Sequence, residues 1–356
     1  MVRRQNKGIS PKPYAWQSLA IGFFRLPVFC RAPMVKPMSS PSPVSVIRPE
    51  QQSLPVVLSC PHAGTILPDA LRRISPLSDE ILLRATDFGV RELLDPAVQA
   101  LSVPMVACEF SRAYCDVNRY RDELDPGLFE DGSTPPPHRN RSPRVLAGLG
   151  VIPTLIGGTL SIYGDQRLSP EAVEQRLDTV HRAYHDALTE QLKLTCERFG
   201  HAILIDCHSM PGLSPSATRG LRRDRNPFRL RQVPGEGEGL STGAVDAVLG
   251  DRFGTTCAKP VVLSVLHRLW HSGLIVEWNR PYAGGFVVQH HGAPQNGVHA
   301  LQVELSRDLY LDDGLGQTEN HGAVTAMVQS LIERLGALDP AVLQDPSLYK
   351  DEDSLV

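Results

Sequence analysis

Short apolar runs alternate with amphipathic helical patterns along the chain from residue 54 onward. The runs with the composition of buried strands cover residues 55–59, 105–110, 202–207, 273–278 and 298–305. Apolar spacing and helix-start signals predict helices over residues 78–101, 169–199, 259–271 and 322–335. This alternation is typical of a sheet covered by helices. We therefore predict an α/β fold with a mainly parallel or mixed sheet flanked by helices, in a single domain over residues 51–340.

The first 50 residues fall outside this pattern. Their apolar stretch, 15–30, is interrupted by polar residues and a proline and is too short for a membrane span, which needs roughly 18 residues. We expect an N-terminal extension that is disordered, serves as a transit peptide, or results from a start assigned upstream of Met34 or Met38. At the other end, residues 341–356 are predicted to form a C-terminal tail.

Two long irregular segments, 125–153 and 211–243, are predicted to be loops. The second contains six arginines: Arg219, Arg222, Arg223, Arg225, Arg229 and Arg231. Two interpretations stay open for this cluster, a solvated surface loop or a patch that gathers an anionic substrate.

Charge and cysteine content narrow the class of protein. The first 49 residues hold eight Lys/Arg and no acid, so residues 50–356 carry a net charge of about −11. An acidic body argues against nucleic acid as a partner, and the lack of a long apolar run argues against a membrane. Seven cysteines without a C-x-x-C pair predict reduced thiols and a cytoplasmic protein. The sequence holds no signal for an oligomeric state.

Polar side chains follow two of the predicted strands. His62 follows the first run, and Asp206 and His208 end the run that begins at residue 202. Ligands bind outside the carboxyl ends of parallel strands, and side chains two apart share a face. We therefore predict that His62 and His208 are metal ligands and that Asp206 orients the ring of His208. The alternative is that both histidines are structural.

A helical pair, His181 and His185, has the i,i+4 spacing of a metal site but lacks the glutamate that follows the first histidine in metalloproteases. We expect His181 to lie on an ordinary helix surface, and the role of His185 stays open.

The segment 111–119 (SRAYCDVNR) places two guanidinium groups beside a carboxylate and an amide. Arginine binds carboxylates through two parallel hydrogen bonds, so Arg112, Asn118 and Arg119 form a candidate receptor for a substrate carboxylate. The alternative is a structural salt bridge of Arg112 or Arg119 with Asp116.

An acidic residue, Glu304, interrupts the last apolar run, and the segment 277–285 ends in paired glycines that permit close approach to a ligand. A buried carboxylate is costly unless it is paired or catalytic. Glu304 is therefore either a general base near a metal-bound water or the partner of Arg307 in a structural pair. Cys60 and Cys207 adjoin the two histidines, so a cysteine amidase is a further hypothesis.

Six segments carry these polar residues in order: 59–64 (SCPHAG), 111–112 with 116–119 (SR, DVNR), 206–211 (DCHSMP), 250–254 (GDRFG), 279–285 (NRPYAGG) and 302–304 (QVE). From about residue 55 to 313, their order and spacing resemble the N-formylglutamate amidohydrolase (deformylase) family. The resemblance implies hydrolysis of N-formyl-L-glutamate, an intermediate of histidine degradation, to formate and glutamate by a metal-activated water. It also implies a phosphorylase/hydrolase-like α/β/α sandwich related to zinc carboxypeptidases and aspartoacylases.

The resemblance further implies roles for single residues. His62 and His208 would hold a divalent metal, with zinc the expected ion, and Glu304 would be the base. The relatives place an acidic ligand three residues after the first histidine, where this chain has Thr65. Asp87 is the candidate for the third ligand, and Asp116 is its rival.

Formylglutamate carries two carboxylates. The resemblance assigns one to Asn118 and Arg119, with Arg112 beside them, and leaves Arg167 or Arg280 for the other. The expected partner is a small N-acyl amino acid, and the arginine-rich segment 211–243 would adapt the pocket to a relative of formylglutamate. Because of Thr65, a non-catalytic relative that only binds carboxylates also stays open.

Overall fold

The computed structural model describes residues 41–130, 142–212 and 244–345. The six-arginine cluster, most of the predicted N-terminal extension and nearly all of the C-terminal tail lie outside these ranges. Within them, no helix combines the length and the apolar character needed to cross a bilayer.

Seven strands form the main sheet of the described residues: β1 Val44–Ile47, β2 Val56–Cys60, β3 Met105–Cys108, β6 Ala202–Met210, β7 Ala247–Gly250, β8 Val276–Trp278 and β9 Val298–Ser306. Their spatial order is β1-β3-β2-β6-β9-β7-β8. The outer pair β1/β3 and the pair β7/β9 are antiparallel, whereas β2, β3, β6 and β9 run parallel, as do β7 and β8. The strands β4 Leu155–Ile156 and β5 Leu160–Ser161 form a separate hairpin.

The described helices are α1 Asp69–Arg72, α2 Asp79–Leu83, α3 Val90–Ala100, α4 Pro143–Leu146, α5 Pro170–Arg176, α6 Ala183–Phe199, α7 Lys259–His271, α8 Phe286–His291, α9 His321–Gly336 and α10 Pro340–Leu343. A π-helical turn, Leu177–Arg182, joins α5 to α6. One apolar layer packs α3, α7 and α9 against one face of the sheet, and a second packs α5 and α6 against the other.

Alternation along the buried strands produces this three-layer arrangement, because successive side chains point to opposite faces. On β6, Ile203 and Ile205 belong to the first layer and Leu204 to the second. The predicted α/β fold with a mainly parallel, mixed sheet is confirmed.

The predicted helix over residues 78–101 is wrong in one respect, because the chain breaks it between α2 and α3. Gly89 caps the start of α3 at φ 77°, and a Cβ there would overlap the ring of Tyr310. Only glycine adopts this conformation at no steric cost. The break places Asp87 in a loop rather than in a helix.

Other elements were missed. β1 lies inside the segment 1–50, predicted to be an N-terminal extension, and it pairs with β3. β7 consists of four residues, too short a run to stand out in the sequence. The segment 125–153, predicted to be irregular, contains α4.

Candidate active site

The carboxyl ends of β2, β3, β6 and β9 meet at one edge of the sheet because these strands are parallel. His62 follows β2, His208 lies on β6, and Asp87 enters from the break between α2 and α3. One ligand atom of each of these three buried side chains lies within 4.8 Å of the other two. Folding thus brings His62, Asp87 and His208 together.

A carboxylate holds the far nitrogen of each ring. Nε2 of His62 donates to Oδ1 of Asp116 at 2.7 Å, which leaves Nδ1 facing Oδ2 of Asp87 at 3.5 Å. Nε2 of His208 lies 3.0 Å from Oδ2 of Asp206, and its Nδ1 lies 3.0 Å from Oδ2 of Asp87. The predicted contact between Asp206 and His208 is therefore present.

These residues fit a divalent cation on two observations. Nδ1 of His62 is buried and has no hydrogen-bond partner among the residues that the structure describes, which is costly unless another group satisfies it. Two imidazole nitrogens and one carboxylate oxygen converge, a donor set suited to zinc and similar metals. The carboxylates behind His62 and His208 orient the rings as outer partners of metal-binding histidines do.

The same proximity shifts the ionisation of these groups. Burial alone raises the pKa of Asp87, but the hydrogen bonds and charges of His208 and His62 outweigh it and lower this pKa. Burial alone lowers the pKa of His208, but the carboxylates of Asp206 and Glu304 raise it well above 6.5. A cation that binds here competes with a proton on His208.

Glu304 lies beside this group because β6 and β9 are in register, with His208 directly opposite Glu304. Nε2 of Gln302 donates to Oε1 of Glu304 at 2.7 Å. Burial raises the pKa of Glu304, and the charge of His208 only partly opposes this. The alternative of a Glu304–Arg307 pair is not observed among the described residues, so Glu304 retains the environment of a general base.

Asp116 is the centre of the loop after β3. Oδ1 accepts from His62 and from the backbone N–H of Asn118, and Oδ2 accepts from Arg112 at 2.6 Å. Burial alone raises the pKa of Asp116, but the charges of Arg112, His62 and Arg119 outweigh it and hold this pKa well below 3.8. Asp116 thus faces the outer nitrogen of His62, whereas Asp87 contacts both histidines.

Asn118 and Arg119 line the cavity above these groups. Oδ1 of Asn118 accepts from the backbone of Val287, and its Nδ2 lies 3.1 Å from Nε2 of His208. A Cβ on Gly285 would overlap the Asn118 amide, so this glycine permits an approach to Asn118. Arg119 donates to the carbonyls of Leu149 and Asn118. Burial lowers its pKa to about 10, although the carboxylate of Asp116, 3.9 Å from its Nε, partly opposes this.

The cavity has a volume of about 270 Å³. Its lining holds the carboxylates Asp87, Asp116 and Glu304 and five arginines: Arg84, Arg112, Arg119, Arg144 and Arg307. An excess of guanidinium groups favours an anionic ligand. The predicted anchors Arg167 and Arg280 are exposed and do not line this cavity.

The expectation that His181 lies on an exposed surface is wrong. Its ring is buried, and its Nε2 bonds the carbonyl of Arg119 at 2.9 Å, while Nε2 of His185 bonds the carbonyl of Val117 at 2.8 Å. Nδ1 of His185 contacts Nε2 of His291 at 3.0 Å. These histidines support the loop that carries Asn118 and Arg119, a role that their helical spacing alone did not indicate.

The two candidate thiols face away from this chemistry. Cys60 and Cys207 are buried in the apolar layer on the opposite face of the sheet from His208, and burial raises the pKa of both. A thiol that stays protonated is a poor nucleophile. The arrangement disfavours the cysteine amidase hypothesis.

The sequence matches a known protein family. Residues 54–311 match the family model of N-formylglutamate amidohydrolase. The chain belongs to the N-formylglutamate amidohydrolase family. The predicted membership is confirmed, and with it the assignment to enzymes that hydrolyse amides.

Individual relatives cover most of the chain. It is 29% identical to an N-formylglutamate deformylase of Pseudomonas putida over 74% of this chain and 84% of the relative. It is 27% identical to the Pseudomonas aeruginosa N-formylglutamate deformylase over 79% and 92% of the respective chains.

Two solved structures resemble the fold. The crystal structure of N-formylglutamate amidohydrolase from Ralstonia eutropha has a TM-score of 0.69 and 30% identity, covering 83% of this chain and 97% of that one. A gene product of Agrobacterium tumefaciens has a TM-score of 0.55 and 17% identity, over 83% and 95% of the two chains, and shares the fold.

Proposed function

We propose that the protein hydrolyses the amide bond of N-formyl-L-glutamate, or of a closely related N-acyl acidic amino acid, to release formate and L-glutamate. The observation that carries this proposal is the buried group of His62, Asp87 and His208 at the floor of an arginine-lined cavity. The similarity of the chain to relatives named N-formylglutamate deformylase supports this choice of substrate.

His62, Asp87 and His208 would hold a divalent cation, with zinc the expected ion, through two Nδ1 atoms and one carboxylate oxygen. When bound, such a cation polarises the formyl carbonyl and lowers the pKa of a water molecule toward neutrality. Asp116 and Asp206 keep the ligand nitrogens of the two rings directed at the site. Asp87 thereby replaces the acid that the relatives place at the position of Thr65, which removes the main support for a non-catalytic relative.

Glu304 would accept the proton of the attacking water and deliver it to the departing amine of glutamate. Its raised pKa suits both steps, since a base whose pKa approaches the working pH also donates a proton readily. Water is the nucleophile, and Cys60 and Cys207 take no part. Arg119 would bind the α-carboxylate of the substrate, with Arg112 held in place by Asp116.

The test combines metal analysis with formate release from N-formyl-L-glutamate before and after chelation. We expect one metal per chain, loss of turnover on chelation, and recovery on adding Zn²⁺. His208→Ala should lose both metal and turnover, and His267→Ala, which removes an exposed histidine on α7, is the matched control.

Full turnover without metal would refute the ligand assignment. Inactivation by iodoacetamide that Cys60→Ala or Cys207→Ala abolishes would restore the cysteine mechanism. Metal binding without formate release from any N-formyl amino acid would refute the proposed substrate class.

A further inference from the structure

Two of the arginines that line the cavity have no partner within the described part of the chain. Arg144 on α4 and Arg307, three residues after Glu304, make no side-chain hydrogen bond or ion pair with the described residues. Nε of Arg307 is also buried and finds no acceptor in the described ranges. A buried cationic donor is costly when unsatisfied, so a ligand is the natural source of the acceptor for Nε of Arg307, whereas Arg144 is exposed.

The other arginines of the lining are already engaged. Arg112 is paired with Asp116 at 2.6 Å, and Arg84, directly after α2, lies 3.9 Å from Glu80. Arg119 donates to two backbone carbonyls. Arg307 is therefore the lining cation with most to gain from an added carboxylate, and the exposed Arg144 lines the same cavity and can add a second positive charge.

We infer that Arg307, assisted by Arg144, forms a second carboxylate subsite that holds the side-chain carboxylate of an N-acyl acidic amino acid, while Arg119 holds the α-carboxylate. This inference rests on the proposed function. Arg307 and Arg144, and not Arg167 or Arg280, which lie outside the cavity, would then bind the second carboxylate.

The subsite explains selectivity for acidic substrates. A substrate with a neutral side chain leaves Arg307 unsatisfied inside the cavity, and sites built around a charged partner reject analogues that lack it. The lining carries five arginines and three carboxylates, so its net charge is positive. This positive charge favours a dianionic substrate, and a bound cation would add to it.

The test compares N-formyl-L-glutamate with N-formyl-L-glutamine, which has the same shape and no side-chain charge. We expect Arg307→Met to reduce the ratio of the two kcat/KM values at least tenfold, about the effect of one hydrogen bond to a charged group. Arg307→Lys keeps a positive charge and should retain an intermediate ratio. Arg73→Met, which removes an exposed arginine outside the cavity, is the matched control.

A binding measurement separates this inference from the proposed function. Calorimetry with glutarate and with its monoamide needs no turnover, and Arg307→Met should weaken glutarate binding at least tenfold more than monoamide binding. If that difference appears while wild-type protein releases no formate, the subsite holds and the deformylase function fails. The inference is overturned if formate release is normal and Arg307→Met leaves the ratio of the two kcat/KM values unchanged. It is also overturned if Arg167→Met or Arg280→Met, and not Arg307→Met, lowers this ratio.

Discussion

Glu304 stands opposite His208 on neighbouring strands, buried and bonded to Gln302. A carboxylate in this position is a strong base only if something keeps its pKa high, and burial supplies that effect. The proposed base and the candidate ligand thus both lie on strands of the sheet, which position side chains more precisely than loops do.

At the residue scale, we expect Glu304→Gln to lower kcat by about 10²–10⁴-fold, the usual effect of removing a general base. The metal content should stay unchanged, because the ligand group does not include Glu304. In the wild type, kcat/KM should fall as the pH drops below the raised pKa of Glu304, since the protonated acid no longer accepts a proton.

The measurement is the pH profile of formate release together with metal analysis of both proteins. Loss of metal in Glu304→Gln equal to the loss of turnover would contradict the assignment and show a structural role.

At the scale of elements, the π-helical turn Leu177–Arg182 places His181 against the backbone of Arg119. Such turns occur often at functional sites. One turn later, His185 donates Nε2–H to the carbonyl of Val117, so its Nδ1 accepts from His291. Burial lowers the pKa of His185 and lowers that of His291 to about 3, which keeps this chain of hydrogen bonds neutral at pH 7.

We therefore expect His185→Ala to raise KM for the substrate by about tenfold, with a smaller effect on kcat and on metal content, because it loosens the loop that carries Arg119. His185→Gln retains a donor toward Val117 and should recover part of the loss. Steady-state kinetics of both variants, with the exposed Glu190→Ala on the same helix as control, checks this. An unchanged KM in His185→Ala would show that the loop needs no such support.

The sequence pattern did not predict the break between α2 and α3. Residues 78–101 keep a continuous helical pattern, yet Gly89 adopts a left-handed conformation against the ring of Tyr310, more than 200 residues away in sequence. No local signal encodes that contact. Asp87 could be named as a ligand candidate only through the resemblance, and the break explains how it reaches both histidines.

At the scale of the whole molecule, buried neutral histidines make stability sensitive to acid. Nδ1 of His299 on β9 accepts the N–H of Ala258 at the start of α7, and burial lowers the pKa of His299 to about 4. The unfolded chain takes up this proton near pH 6.5, before the folded protein does. Stability is therefore complete above about pH 6.5 and is lost as the pH falls toward 4.

We expect the free energy of unfolding to drop by roughly 2 kcal/mol between pH 7.5 and 4.5 through His299 alone. Urea denaturation of the wild type and of His299→Asn, which retains an acceptor, at several pH values checks this. The free energy of unfolding should change less with pH in the variant than in the wild type. Identical pH dependence in the two proteins would mean that His299 does not contribute.

The sequence by itself determined the layered α/β fold, the five predicted strands, the placement of His62 and His208 at strand ends and the position of Glu304. Period-two and helical periodicities are local, and parallel strands bring their carboxyl ends to one edge, so these features need no knowledge of long-range contacts. Only the tertiary structure decided that Asp87 meets both histidines, that His181 is buried, and that Arg144 and Arg307 rather than Arg167 and Arg280 line the cavity. Each of these depends on contacts between segments far apart in the chain, and local sequence patterns do not determine such contacts.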